Sequence, residues 1–314
     1  MAGGPLSHLT VAVLGGDRRE AEVIRELLGL GAAVVTAGRE LAPDPEGARR
    51  AALAAEALQS AAAVLGPMPG VGEDGRVWAP MAARPPLYLT GPDLARLEPG
   101  ALVLVGRANA HLRGLEREGA IGLVELADDD EMAILNSVPT AEGALQLAME
   151  LSPLTIHGST SAVLGMGRTG LTLARLLAAL GSRTLALARK AADRARAFAL
   201  GHEPLPFSQL AAIAGRLDFL FNTVPAPVVG RGILASLPDA AVVIDLASAP
   251  GGVDFAAATD LGRTAVLAPG LPGKVAPVSA GRLLAGVVTR HLAEYSGEGG
   301  VGEWSSREGA LVSP

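Results

Sequence analysis

The run SAVLGMGRTG, Ser161 to Gly170, constrains this chain more than any other ten residues. A short apolar strand stops at glycines 165, 167 and 170, and an apolar helical stretch, Thr169–Leu180, follows. Each glycine has its own physical task. Gly165 permits a tight turn, Gly167 lets the backbone approach a pyrophosphate, and Gly170 lets the helix pack closely on the strand. The free N–H groups and dipole at the start of such a helix favour a phosphate anion. In a chain with 40 glycines an isolated G-x-G-x-x-G is a weak signal. The strand before it, the helix after it and a second strand at Thr184–Ala188 turn it into an expected dinucleotide site, with Met166, Arg168 and Thr169 in the loop.

The end of that second strand selects the cofactor. An NAD site places an acidic residue about 20 positions after the glycines, on the ribose 2′-OH. Here Arg189 and Lys190 stand at that point, and no carboxylate follows until Asp193. Two cations attract a 2′-phosphate, which a guanidinium binds through two parallel hydrogen bonds, so the expectation is NADP.

The strand–glycine–helix plan recurs upstream. Thr10 to Leu14 is an apolar run stopped by Gly15 and Gly16, with Asp17 placed to cap a helix whose apolar face is Ala21, Val23, Ile24, Leu27 and Leu28. Lacking the full glycine pattern, this turn reads as substrate-side or structural. Ala32–Thr36, Ala62–Leu65, Leu87–Leu89, Leu102–Val105 and Ile121–Leu126 read as further strands, and residues 38–60 as a helix or a loose insertion. A connector starts near Asn136, Pro139 sits where a helix can begin, and Ala141–Leu151 looks helical. Strands follow at Ser161–Leu164, Phe219–Asn222, Val242–Asp245 and Ala265–Leu267, with helices at Ala191–Leu200 and Val278–Tyr295. The expected fold class is α/β: two Rossmann-like doubly wound domains with parallel sheets, joined by long connecting helices. Residues 1–150 form the N-terminal substrate-side domain, with helix 278–295 packing back on it. Residues 151–277 form the NADP-binding domain, and 296–314 a disordered tail.

Composition narrows the function. Only 3% of residues are aromatic and the net charge is −6 without a basic run, which argues against nucleic acid as partner. The absence of cysteine excludes disulfides, thiolate metal sites and a cysteine nucleophile, and no metal is expected. No apolar run is long enough for a signal or a membrane span, so a cytoplasmic protein with no membrane partner is the default.

The chain resembles the dipicolinate synthase A-subunit family over most of its length, from about Val11 to Leu292. The resemblance is carried by Gly15-Gly16-Asp17 with Arg19, by NSVPTAEG (Asn136–Gly143), by TIHGS (Thr155–Ser159) and by VLGMGRTG (Val163–Gly170). It continues through NTVP (Asn222–Pro225), DLAS (Asp245–Ser248), Pro250-Gly251-Gly252 with Asp254, and APGLPGKVAP (Ala268–Pro277). It implies oxidation of a dihydrodipicolinate-type ring to pyridine-2,6-dicarboxylate during sporulation, coupled to NADP, with a flavoprotein-like second subunit, the dipicolinate synthase B-subunit, as partner. A homo-oligomer is left open. Members of the family tend to carry a basic residue after the proline matching Pro277, where this chain has Val278, so no substrate carboxylate is assigned there.

A ring dicarboxylate needs cations or N–H donors at two points, and in open α/β sheets ligands sit beyond the carboxyl ends of strands. The substrate candidates are therefore Arg19, Arg107, Asn109, Ser137, Thr140 and Lys274. Loops after the cofactor-domain strands add Asn222, Thr223, Val224, Pro225, Asp245, Ala247 and Ser248 to the cofactor set. His157, near the domain junction, is the candidate catalytic acid or base. Alternatives are an alanine-dehydrogenase-like enzyme, a 2-hydroxy-acid dehydrogenase, or a non-catalytic NADP-binding regulatory subunit. The hydroxy-acid reading lacks its histidine, since none lies between Glu203 and Arg290.

Overall fold

The computed structural model describes residues 4–84 and 86–297, and nearly all of the expected tail, 298–314, lies outside them. The chain divides into two compact units. One takes the described residues up to Ala133 together with those from Pro277 onward, and the other is Ile134–Ala276.

The first unit holds β1 (Thr10–Leu14), β2 (Ala33–Ala37), β3 (Arg49–Arg50), β4 (Ala63–Leu65), β5 (Arg76–Val77), β6 (Leu87–Tyr88), β7 (Leu102–Val105) and β8 (Gly122–Glu125). Six of them form one parallel sheet in the order β3-β2-β1-β4-β7-β8. The second unit holds β9 (Thr160–Leu164), β10 (Arg183–Leu187), β11 (Glu203–Leu205), β12 (Phe219–Asn222), β13 (Val242–Asp245) and β14 (Thr264–Leu267), parallel in the order β11-β10-β9-β12-β13-β14. The α/β class therefore holds, twice over. Each sheet is wound outward from its first strand, so the order reverses between β1 and β4 and again between β9 and β12. A crevice opens at such a reversal beyond the carboxyl ends of the strands. The strands are continuous apolar runs because helices cover both faces: Val11–Leu14, Ala162–Leu164 and Phe219–Phe221 are all buried. In the first unit, helix Pro277–Ser296 lies on helix Glu20–Gly29, and Gly281 has no room for a side chain against the Arg19 carbonyl and Glu22.

Three local expectations are corrected. Leu87–Tyr88 pairs antiparallel with Arg76–Val77 in a separate ribbon, not in the main sheet. Residues 38–60 supply an edge strand at Arg49–Arg50 and one turn of helix at Ala54–Ala57. The helix expected at Ala141–Leu151 begins eleven residues earlier and runs from Asp130 to Leu151 with Pro139 inside it. An internal proline removes one backbone bond and costs about 3 kcal/mol. Hydroxyls stand beside the disturbed turn: Ser137 Oγ donates to the Ile134 carbonyl (2.6 Å) and Thr140 Oγ1 to the Asn136 carbonyl (2.7 Å). The early start is secured by Asp129, which accepts from Met132 N (2.8 Å) as a cap and holds Arg290 (2.7 Å) and His291 (2.9 Å) of the C-terminal helix. No described helix is long and apolar enough to cross a membrane.

Burial pushes the Asp129 carboxyl up, but the Met132 N–H, His291 and Arg290 outweigh it and hold it below the usual carboxylate range. A depressed carboxylate contributes stability that is present above its unfolded-state value and is lost as pH falls through the folded one. Asp129→Ala is expected to lower the unfolding free energy near neutral pH by about 2–4 kcal/mol, through loss of the cap and its charged bonds. Denaturant titration at pH 7 and pH 3 checks this: the gap between parent and variant narrows at the lower pH.

Candidate cofactor and substrate sites

The second unit builds a cradle after β9. Gly165 has φ +94°, and a Cβ there would collide with Thr223 Oγ1 and Val224, so only glycine makes the turn. A Cβ on Gly170 would strike the Gly165 carbonyl oxygen, which is how closely helix Arg168–Ala179 sits on β9. A Cβ on Gly167 would meet nothing within 4 Å. The loop is thus crowded behind and open in front, at the amino end of a twelve-residue helix. That arrangement fits a pyrophosphate, which needs backbone N–H groups and no side chain in the way. Thr223 Oγ1 donates to the Leu164 carbonyl (2.8 Å) and ties β12 to the turn.

Beside this cradle opens a cavity of about 580 Å³. Gly165, Met166, Val224, Val228, Ile233, Phe207 and Leu210 give it apolar walls, while Arg189, Lys190, Asp193 and Ser208 stand at its polar side. Apolar walls with Arg189 and Lys190 among the lining residues fit the adenosine half of a nicotinamide dinucleotide. Arg189 and Lys190 are exposed, and their side chains make no hydrogen bond or ion pair among the described residues. Asp193 is held by Arg196 (3.1 Å). Sequence reading missed Phe207, Ser208 and Ile233. The first two follow β11, a strand that Pro204 disguises, and no motif marks the third.

Asn222 and Asp245, both fully buried, end β12 and β13. Their polar atoms are spent on the chain itself: Asn222 Nδ2 donates to Asp245 Oδ1 (2.8 Å) and to the Val224 carbonyl (3.0 Å), and Asn222 Oδ1 accepts from Val224 N (3.0 Å). Ala247 is buried, whereas Ser248 and Pro225 are exposed beyond the strand ends. Met166 is buried, Thr169 half-buried, and Arg168 opens the helix.

His157 does not belong to this site. It precedes β9, and its Nδ1 lies 3.2 Å from the Leu180 carbonyl, just before β10. It therefore sits at the amino ends of the strands, about 13 Å of strand away from loops that all follow carboxyl ends. The expectation that it is the catalytic acid or base is corrected on that ground.

The substrate candidates fall into two groups. Arg107 and Lys274 are exposed, with no side-chain hydrogen bond or ion pair among the described residues; Arg107 follows β7. The others are engaged. Arg19 is buried and grips Asp17 through Nε (3.0 Å) and Nη2 (3.1 Å). Asn109 caps helix Ala110–Arg117 by accepting from Leu112 N (2.9 Å) and donates to the Gly72 carbonyl (2.9 Å). Ser137 also meets Thr172 Oγ1 (2.7 Å), and Thr140 bonds within its own helix.

The corresponding turn of the first unit is filled from within. Gly15 and Gly16 have φ +62° and +80°, but a Cβ on Gly16 would run into the Glu20 carboxyl. Arg39, fully buried, donates through Nη1 to the Gly15 (2.9 Å) and Asp17 (2.8 Å) carbonyls, pairs with Asp44 (3.1 Å) and lies 3.6 Å from Glu20. Both Glu20 oxygens and Arg39 Nη2 lack a hydrogen-bond partner among the described residues. Burial, and next the charge of Asp17, push the Glu20 carboxyl up to about 7 against the pull of Arg19 and Arg39. A phosphate entering this turn meets an acid instead of open N–H groups. Sequence reading missed Glu20, Arg39 and Asp44, whose only mark is their position one turn after β1 and just past β2.

Comparison with known proteins bears on both units. Residues 10–127 match the family model described as the N-terminal domain of the dipicolinate synthase A-subunit. Residues 138–254 match that of the D-isomer specific 2-hydroxyacid dehydrogenase NAD binding domain. The dipicolinate synthase A-subunit of Bacillus subtilis (strain 168) is 36% identical over 296 residues, 94% of this chain and 99% of that one. The crystal structure of the dipicolinate synthase A-subunit from Bacillus halodurans superposes with a TM-score of 0.86 at 37% identity, over 92% of this chain and 99% of the other. That of the Bacillus subtilis A-subunit gives 0.83 at 36%, over 92% and 97%.

Two outcomes follow from the glycine geometry and from Glu20. Gly167→Val should abolish nicotinamide dinucleotide binding in a calorimetric titration while the unfolding midpoint stays near the parent's, whereas Gly170→Val should unfold the domain first. A Glu20 carboxyl raised from its ordinary 4.5 keeps its proton longer when folded, so stability declines as pH rises from 4.5 to about 7 and is level above. Glu20→Gln should flatten that decline, worth about 3 kcal/mol, in denaturant titrations across the range.

Proposed function

The chain belongs to the dipicolinate synthase A-subunit family and is a nicotinamide-dependent oxidoreductase, and on that premise we propose that it converts a dihydrodipicolinate-type ring to pyridine-2,6-dicarboxylate with NADP. The observation that carries this reading is that the substrate-side unit, residues 10–127, matches the A-subunit family itself rather than a general dehydrogenase. The dihydro ring gives up a hydride and a proton, and the pyridine ring forms. A bound nicotinamide dinucleotide supplies the hydride acceptor. Aromatisation drives the loss, so the work left to the protein is to bind and orient the ring and to exclude competing reactions.

The roles of individual residues follow from their surroundings. Gly165, Gly167 and the amino end of helix Arg168–Ala179 hold the pyrophosphate, with Met166 and Val224 as apolar walls. Arg189 and Lys190, with no side-chain partner among the described residues, take the 2′-phosphate, and Asp193 is kept off it by Arg196. Arg107 and Lys274 are the cations available to the substrate carboxylates. Arg19 joins them only by exchanging Asp17 for a substrate oxygen. Asn109 shapes the turn that carries Arg107, and Ser137 and Thr140 brace the proline-bearing helix. The relatives are named as the A-subunit of a synthase, which supports a second subunit as partner; that this subunit is of flavoprotein type and that the role is in sporulation rest on the family resemblance alone.

NADPH should bind more tightly than NADH, and Arg189→Glu should remove about 1–3 kcal/mol of that preference. Parallel fluorescence titrations read this directly, and equal curves in the parent protein would sink the NADP reading. For the substrate, Arg107→Ala and Lys274→Ala should each weaken pyridine-2,6-dicarboxylate binding by several-fold or more with NADPH affinity unchanged. A solvated surface charge would change it by less than about 1 kcal/mol. Calorimetry with saturating cofactor, with the second subunit present, decides between the two.

A further inference from the structure

We propose that Asn222 and Asp245 are a positioning pair, which fixes the two loops beyond β12 and β13 as one rigid platform for the nicotinamide half of the cofactor without touching the cofactor themselves. The inference rests on nicotinamide dinucleotide binding at Gly165–Gly170, and not on the identity of the substrate or on a preference for NADP.

The topology assigns the halves. A dinucleotide spans the reversal in strand order, one mononucleotide on each side. Here β9 and β10 carry the glycine turn, Arg189 and Lys190, so the adenosine side is theirs. The loops after β12 and β13 fall to the nicotinamide side. Those two loops are laced together. Val228 N and Val229 N both donate to the Gly252 carbonyl (3.0 and 2.9 Å), and Asp254 N donates to the Val229 carbonyl (3.0 Å). The pair is the knot beneath them. Asp245 Oδ1 accepts from Asn222 Nδ2 (2.8 Å) and Ala247 N (3.0 Å), while Oδ2 accepts from Gly252 N (2.6 Å). Asn222 in turn clasps Val224 at both its N–H and its carbonyl. Every bond is intramolecular and both side chains are fully buried, so neither has an atom to offer a ligand.

This pair also explains a sequence feature that the cofactor fingerprint leaves unused. A Cβ on Gly251 (φ +85°) would collide with the Asp245 carboxylate, and one on Gly252 would press on Asn222 Nδ2 and the Ala226 and Val224 carbonyls. The Gly251-Gly252 doublet is required because two loops close over a buried carboxylate with no room between. A carboxylate is suited to the task because it accepts at both oxygens. An amide in its place must turn an N–H₂ toward one of three N–H donors.

The test uses the full chain with NADH or NADPH, whichever the parent binds more tightly. Asp245→Asn should leave the dissociation constant within about threefold of the parent's, because the phosphates stay on the glycine turn. The bound reduced nicotinamide should lose its fluorescence anisotropy toward that of a freely rotating ring. Amide hydrogen exchange at Ala247 and Gly252, measured without cofactor, should speed up at least tenfold while that at Gly165–Gly170 is unchanged. Asn222→Ser, a milder change that keeps the carboxylate, should give the same pattern at reduced size. A rise of tenfold or more in the dissociation constant, in either folded variant, would mean the pair holds the cofactor or the whole site and would overturn the proposal. So would unchanged anisotropy and exchange. Failure of the parent to oxidise a dihydrodipicolinate ring would leave all of these readouts standing.

Discussion

The contact on which the second unit depends is between two backbones: the Gly165 carbonyl lies where a side chain on Gly170 would be. That approach lays helix Arg168–Ala179 directly on β9 and brings its first N–H groups to the crevice where the strand order reverses. The positive character of this crevice follows. A helix held a methyl group farther away would point its amino end past the turn, and its free N–H groups would no longer converge on the open space before Gly167. Thr223 locks the same turn from the β12 side and Gly165 N donates to the Leu187 carbonyl of β10 (2.8 Å), so the cradle is shaped by three strand ends at once.

The first unit shows what the same topology does without that contact. Its turn has two glycines in left-handed conformation, yet the space before them is occupied by Glu20, and Arg39 takes the carbonyls of Gly15 and Asp17. Burying a carboxyl without a hydrogen bond is costly, and the protein lowers that cost by keeping it protonated up to about neutral pH. The two units therefore diverge at a single point of charge: one leaves its helix end open to an external anion, and the other closes it with an acid of its own.

Most of the architecture was legible in the sequence because it is written in local signals. Apolar runs of four or five residues ended by glycine gave the sheet strands, and the period of the following segments gave the helices. What was not legible had contradictory local signals that tertiary bonds overrode. Pro139 reads as a helix start, but Asp129, with Arg290 and His291 behind it, begins the helix nine residues earlier. Leu87–Tyr88 reads as a sheet strand, but it pairs back on Arg76–Val77. Within the candidate sites the glycines were readable because each has a stereochemical reason. His157 was not, since a lone histidine carries no sign of which edge of a sheet it stands on.

The cations make the sharper case. Arg19 and Arg107 look equivalent in sequence, each an arginine just after a strand. In the structure one is bound at two points by Asp17 and buried, while the other is exposed and unpaired among the described residues. Their value to an incoming carboxylate differs accordingly. A free guanidinium gains the whole of a charge-assisted bond on binding, less the cost of ordering a long side chain. A paired one gains only the difference between two carboxylates, and it must also return Asp17 to water. Strand-end position narrows the cations to those near the crevice, and a missing ion-pair partner among the described residues narrows them further to those with a whole charge to offer. Arg189 and Lys190 meet both conditions and Arg19 only the first. The capacity of a cation here to take up an anion thus depends less on where it stands than on whether the described residues already give it a partner.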